Sequence, residues 1–167
     1  TIDGRAGYDS VSYIYVSTSY DGITGITGVA VNLSDRVITQ SEISDWIGTD
    51  IYIVGRNTDE SIDLHSGTAA YLTTSSITAA TAMGRDTLLN IEGVDGSPLA
   101  DFIVLKDGDG IHAEGGDGND ILIGGNGYNS LRGGKGEDTL SGGAGADLFG
   151  YLQRGYSVSE ALSALRD

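Results

Sequence analysis

The chain has 167 residues, with 24 acidic against 9 basic side chains and a formal net charge of −15. That balance argues against nucleic acid or an anionic membrane surface as partner and favours bound cations. Cysteine is absent, so no disulfide holds a small core, and 27 glycines against one proline mark a turn-rich chain that is not low-complexity. No apolar run is long enough for a membrane span and no signal-peptide pattern opens the chain. It begins in mid-pattern and reads as a piece of something larger.

Residues 4–12, GRAGYDSVS, bring a turn (Gly4, Ala6, Gly7), then Asp9 at the sixth place and Val11 at the eighth. Tyr13 to Val16 continues a β-rich run, and Val29, Val31 and Leu33 alternate with Ala30 and Asn32 as in a half-buried strand. Residues 35–84 fit no such pattern and are read as an insertion between two strands. Within it, residues 41–46 open a short helix or a turn, with Trp46 as a core or lid anchor. Residues 50–55 and 62–64 are strand-like. Residues 67–82 are rich in Thr, Ser and Ala, and their sequence leaves strands and a loop equally open. In residues 86–96, DTLLNIEGVDG, the buried positions are predicted to be Leu88, Ile91 and Val94. Residues 96–104, GSPLADFIV, place Asp101 sixth and Ile103 eighth. Residues 105–114 carry Ile111 where that carboxylate would fall, so a site there would borrow Asp107 or Asp109.

Residues 115–150 are four nonapeptides without a gap: GGDGNDILI, GGNGYNSLR, GGKGEDTLS and GGAGADLFG. Each follows G-G-x-G-x-D-x-U-x, U being a large apolar residue. The sixth places hold Asp120, Asn129, Asp138 and Asp147; the eighth hold Leu122, Leu131, Leu140 and Phe149. A disordered glycine-rich linker has no reason to keep an apolar residue at every ninth place. Beyond residue 150, Ser157 to Glu160 form a capping box, and Ala161, Leu162 and Leu165 share one face. They predict a short helix that closes the open end of the array.

The nonapeptide block resembles the RTX (repeats-in-toxin) calcium-binding repeat, similar to the C-terminal β-roll domain of serralysin-type proteins. Residues 4–34 and 86–96 are similar to the irregular entry of such modules. The resemblance implies an all-β fold, a right-handed parallel β-roll. Its divisions would be an irregular part at 1–95 (with the insertion at about 35–84), the calcium roll at 96–150 and the helical cap at 151–167.

The chemistry follows from the residues. Glycines at places one, two and four let a six-residue turn curl its carbonyl oxygens inward. Two nonapeptides make one turn of a flattened coil, so turns about 4.8 Å apart bring Asp120 beside Asp138 and Asn129 beside Asp147. Paired carboxylates repel unless a cation lies between them, and a flexible cage of six to eight oxygens suits calcium better than magnesium. The expected metal residues are Gly115, Asp117, Asp120, Gly124, Asn126, Asn129, Gly133, Lys135, Asp138, Gly142, Ala144 and Asp147. Asp101 is expected to share an ion with Asp120.

No H-E-x-x-H or G-x-S-x-G occurs, and His65 and His112 stand far apart. Asp and Glu are plentiful enough to supply a carboxylate pair for glycosidic chemistry, but calcium explains their visible arrangement. The expected function is therefore non-catalytic: a calcium-binding module of a secreted bacterial protein. By resemblance it would use a type I secretion system and fold outside the cell or at its surface. The alternatives are a carbohydrate-binding module for an alginate-like polymer, which the charge opposes, and an adhesin or surface-layer module that self-associates.

Overall fold

The computed structural model describes residues 1–20, 23–49, 52–54, 63–73, 86–150 and 161–162. In chain order its strands are β1 (Ile2–Asp3), β2 (Ser10–Ser12), β3 (Ser19–Tyr20), β4 (Ile23–Thr24) and β5 (Ile26–Asn32). Helix α1 (Gln40–Ile47) precedes β6 (Tyr52–Val54), β7 (Thr68–Thr73), β8 (Asp86–Leu89) and β9 (Gly93–Asp95). Then come β10 (Phe102–Val104), β11 (Ile111–Asp117), β12 (Ile121–Ile123), β13 (Asn129–Lys135), β14 (Thr139–Ser141), β15 (Leu148–Gly150) and β16 (Ala161–Leu162). The described fold is all-β with one short helix.

Two sheets face each other. One runs β1, β8, β7, β5, β10, β12, β14, β16, with β6 also on β7; the other runs β2, β9, β11, β13, β15, and among the described residues β3 pairs with β4 alone. From β10 onward successive strands alternate between the sheets, and every pairing is parallel. The apolar eighth residues all point between the sheets. Ile103, Leu122 and Leu140 stack in register on one side; Val94, Ala113, Leu131 and Phe149 stack on the other. Val11 joins the second column opposite Val94. These residues share one buried cluster, with Phe149 only partly covered at its end.

Residues 35–73 give the first sheet an antiparallel half and a second core. β7 lies between β5 and β8, antiparallel to both. Thr39 caps α1 by accepting from the Glu42 N–H at 3.1 Å, and left-handed Gly48 (φ 77°) ends it. The helix buries Ile43 on the sheet's outer surface with Ile38, Ile53, Leu64, Leu72, Phe102, Val104 and Ile121. Trp46, expected as an anchor, instead lies on the exposed side of α1. Of the strand and loop left open for the Thr-rich stretch, Thr68–Thr73 forms the strand; residues 74–82 lie outside the described residues.

The expected C-terminal helix needs correction where the structure describes it. Ala161–Leu162 forms a strand parallel to β14, opposite Thr139 and Leu140. An open parallel edge offers unpaired N–H and C=O groups, and a strand satisfies them where a helix cannot. The rest of 151–167, including the Ser157–Glu160 box, lies outside the described residues.

Candidate metal centre

Three of the four repeat turns share one backbone design. Their second and fourth residues are left-handed: Gly116 and Gly118, Gly134 and Gly136, Gly143 and Gly145. In the turn at 124–129 only the fourth, Gly127, is left-handed. Glycine is required here for space as well as for φ. A Cβ on Gly134 would overlap the Gly116 carbonyl oxygen, and one on Gly136 the Gly118 carbonyl oxygen.

That close stacking sets the sixth-place side chains in columns. The Asp120 N–H donates to Asp138 Oδ1 at 3.0 Å, and the Asn129 N–H to Asp147 Oδ1 at 3.0 Å. The Asp101 N–H donates to Asp120 Oδ1 at 2.8 Å across 19 residues. One column is therefore Asp101, Asp120, Asp138; the other is Ile111, Asn129, Asp147, since Ile111 pairs with Asn129. Asp120 thus lies beside Asp138 and Asn129 beside Asp147, as their 18-residue spacing predicts.

Each carboxylate uses one oxygen for its neighbour's amide, which leaves the other. Asp120 Oδ2, Asp138 Oδ2, Asp147 Oδ2 and Asn129 Oδ1 are buried without a hydrogen-bond partner. Burial, then repulsion from Asp101 and Asp138, outweighs the Asp101 N–H and pushes the Asp120 carboxyl up to about 9. Burial also raises Asp138. Orphaned acceptors in a water-poor place are costly. A hard divalent cation such as calcium would remove that cost, because its ligands are oxygens.

The remaining expected residues fall as follows. Gly115, Gly133 and Gly142 lie against the carboxylates of Asp120, Asp138 and Asp147, in space a Cβ would fill. A Cβ on Gly124 would strike the Gly142 carbonyl. Asp117 and Lys135 pair through their exposed side chains at 2.8 Å, and the Lys135 carbonyl accepts from the Gly118 N–H. Asn126 bridges to Ala144, whose carbonyl accepts from the Gly127 N–H at 2.8 Å. Asp101 differs: Ser97 and Val29 already supply donors to its oxygens, and burial raises it to about 6. Asp107 and Asp109 are engaged as well, by Asn126 and by the Tyr128 N–H.

Two features escaped the sequence reading. No motif marks Ser97, although its place four residues before Asp101 lets its N–H and hydroxyl cap that carboxylate. His112 stacks on Tyr8 (centroids 5.5 Å apart, 14° between planes) and bonds to its hydroxyl, tying the first turn to β11. Gly93 leaves room for that imidazole ring.

Among the described residues no group of three or more His, Cys, Asp or Glu gathers as a metal site. What these turns offer instead is pairs of buried side-chain oxygens from successive turns. Residues 114–149 match the RTX calcium-binding nonapeptide repeat in four copies. Repeats of this family bind calcium, and the orphaned oxygens of residues 120, 129, 138 and 147 fit that ion. No curated protein and no solved structure matches the chain. No described helix is long and apolar enough to cross a membrane.

Proposed function

We propose that the chain is a non-catalytic calcium-binding module of a secreted bacterial protein, and that 96–150 is a right-handed parallel β-roll that calcium completes outside the cell after type I secretion. The observation that carries this reading is the buried, donor-less oxygen kept by each of Asp120, Asp138 and Asp147. Asp120, Asn129, Asp138 and Asp147 would hold the ions, with carbonyls of the turns. Calcium supplies positive charge and coordination to oxygens that water does not reach. The chain's own part is to keep the turns stacked and the carboxylates aimed, through the inter-turn amide bonds.

Metal binding of this kind is folding energy. The repeats order many glycines, each costly in backbone entropy, around one narrow apolar column. Extracellular calcium modules bind at about 10⁻⁴ to 10⁻³ M. In a calcium-poor cytosol the repeats would then stay unfolded, as threading through a secretion channel requires. The test is far-UV circular dichroism of the whole chain, titrated from excess EDTA to about 10 mM calcium. A rise in β signal over the millimolar range is expected. A spectrum unchanged by calcium would overturn the proposal.

A further inference from the structure

We infer that Ser97 does in the first turn of the array what calcium does in the later ones, so that residues 96–105 form a metal-free end on which the calcium-dependent turns assemble. This inference rests on the calcium reading above and narrows it: the ion-requiring segment starts beyond residue 105.

Asp101 has the sixth-place position of Asp120 and Asp138 and is as buried as they are, at 1 % exposure against 0 and 1 %. It nevertheless keeps no orphaned oxygen. Its Oδ2 accepts from the Ser97 N–H; its Oδ1 accepts from Ser97 Oγ at 2.7 Å and from the Val29 N–H at 2.7 Å. Three donors of the chain satisfy a carboxylate whose counterparts each keep an oxygen without a partner. The turn itself is built differently. Residues 96–101 contain no left-handed residue, whereas three of the four repeat turns contain two. Ser97 and Leu99 stand where those turns carry left-handed glycines.

The surrounding packing supports a stub that holds without metal. All three residues of β10 are buried, Ile103 in the inner core and Phe102 and Val104 in the outer core under α1. In β14 only Leu140 is fully buried. The Leu33 N–H donates to the Val104 carbonyl at 2.8 Å, so β5 holds β10 on the side away from the repeats. On its other side the stub presents fixed groups to the next turn. The Asp101 N–H meets Asp120 Oδ1, and the Asp101 carbonyl accepts from the Ile121 N–H at 2.9 Å. A Cβ on Gly116 or Gly118 would strike the backbone of Ser97 or Leu99, so the two turns touch directly. The later turns therefore order from Asp101 towards Asp147.

Amide hydrogen exchange on the whole chain tests this, in excess EDTA and at about 10 mM calcium. Val29 and Leu33 amides report the first turn; Asp120, Asn129 and Thr139 amides, which donate to Asp138, Asp147 and Asp120, report the later ones. In EDTA the first pair is expected to stay protected while the others exchange freely, and calcium is expected to protect the others. Ser97→Ala should speed exchange at Val29 in EDTA by about tenfold or more, with Ser97→Thr retaining protection. If Val29 and Leu33 of the unaltered protein lose protection in EDTA together with Asp120, the inference falls and the calcium reading stands. Asp120, Asn129 and Thr139 indifferent to calcium would sink the calcium reading itself. Val29 exchange unaffected by Ser97→Ala would remove Ser97 from the account.

Discussion

At the scale of single residues, the pairs Asp120/Asp138 and Asn129/Asp147 differ in one atom type. Asp120 and Asp138 face one gap with two carboxylates; Asn129 and Asp147 face theirs with one carboxylate and one amide. The amide also turns its NH2 to the Gly125 and Gly127 carbonyls, at 3.3 and 3.1 Å. Calcium affinity rises with ligand charge, so Asp138→Ala is expected to weaken binding at least about tenfold more than Asn129→Ala. Calorimetric titration of both variants checks the ranking, and equal losses would refute it. Protons compete for the same oxygens. Asp120 is raised to about 9 in the fold against about 3.9 in an unfolded chain. The folded state thus holds a proton that the unfolded state releases between those values, and stability without calcium falls as pH rises through that window. Asp101, at about 6, acts in the same sense over its lower part. Repeats that are unfolded in EDTA near neutral pH should therefore be partly restored by protons: in EDTA the far-UV β signal should be larger at pH 5 than at pH 8, and with saturating calcium the difference should shrink. A chelated protein more stable at pH 8 would show that these carboxylates are not buried together.

Strands and helix follow a gradient of coverage along the first sheet. β5 and β10 are buried on both faces, β12 and β14 progressively less. The cause is α1, whose Ile43 fills the outer cluster over Phe102 and Ile121. Ile43→Ala should cost about 2–5 kcal/mol, and the loss should be nearly the same with and without calcium, because among the described residues every buried member of the outer cluster except Ile121 precedes the repeats. Urea melts in both conditions measure it, and a loss confined to the calcium-bound protein would contradict this division. The same gradient explains what the sequence revealed. The apolar eighth residues and the glycine turns are local signals, so the columns of Asp120/Asp138 and Asn129/Asp147 were legible from spacing alone. The outer core was not. Ile38, Ile43, Ile53 and Leu64 meet Phe102 and Ile121 only through contacts distant in sequence. The antiparallel entry of β7 between β5 and β8 has no repeat to announce it. Ser97 hid for another reason: its part depends on which oxygens of Asp101 remain to be satisfied, and spacing does not show that.

For the molecule as a whole, the register of the stacked turns sets a rule for how its length can change by inheritance. A strand at one height meets the strand 18 residues later, as Asp120 meets Asp138. Copying residues 115–132 in tandem returns every later strand to its own sheet and column, with Ala161–Leu162 still beside the strand it now pairs with. Copying only residues 115–123 transfers each later strand to the opposite sheet. Ala161–Leu162 would then arrive on the side of β15, and Asn129 would follow Asp120 in the column that Asp138 now occupies. The longer duplication is expected to keep the calcium-induced β signal and bind additional ion; the shorter one should fold less completely at the same calcium concentration. Circular dichroism and calorimetry of the two variants compare them, and equal behaviour would show that the ends of the array do not care which sheet they join. If the rule holds, the array lengthens or shortens in even steps: single-repeat copies would be lost in descent, while paired copies pass as neutral changes of size.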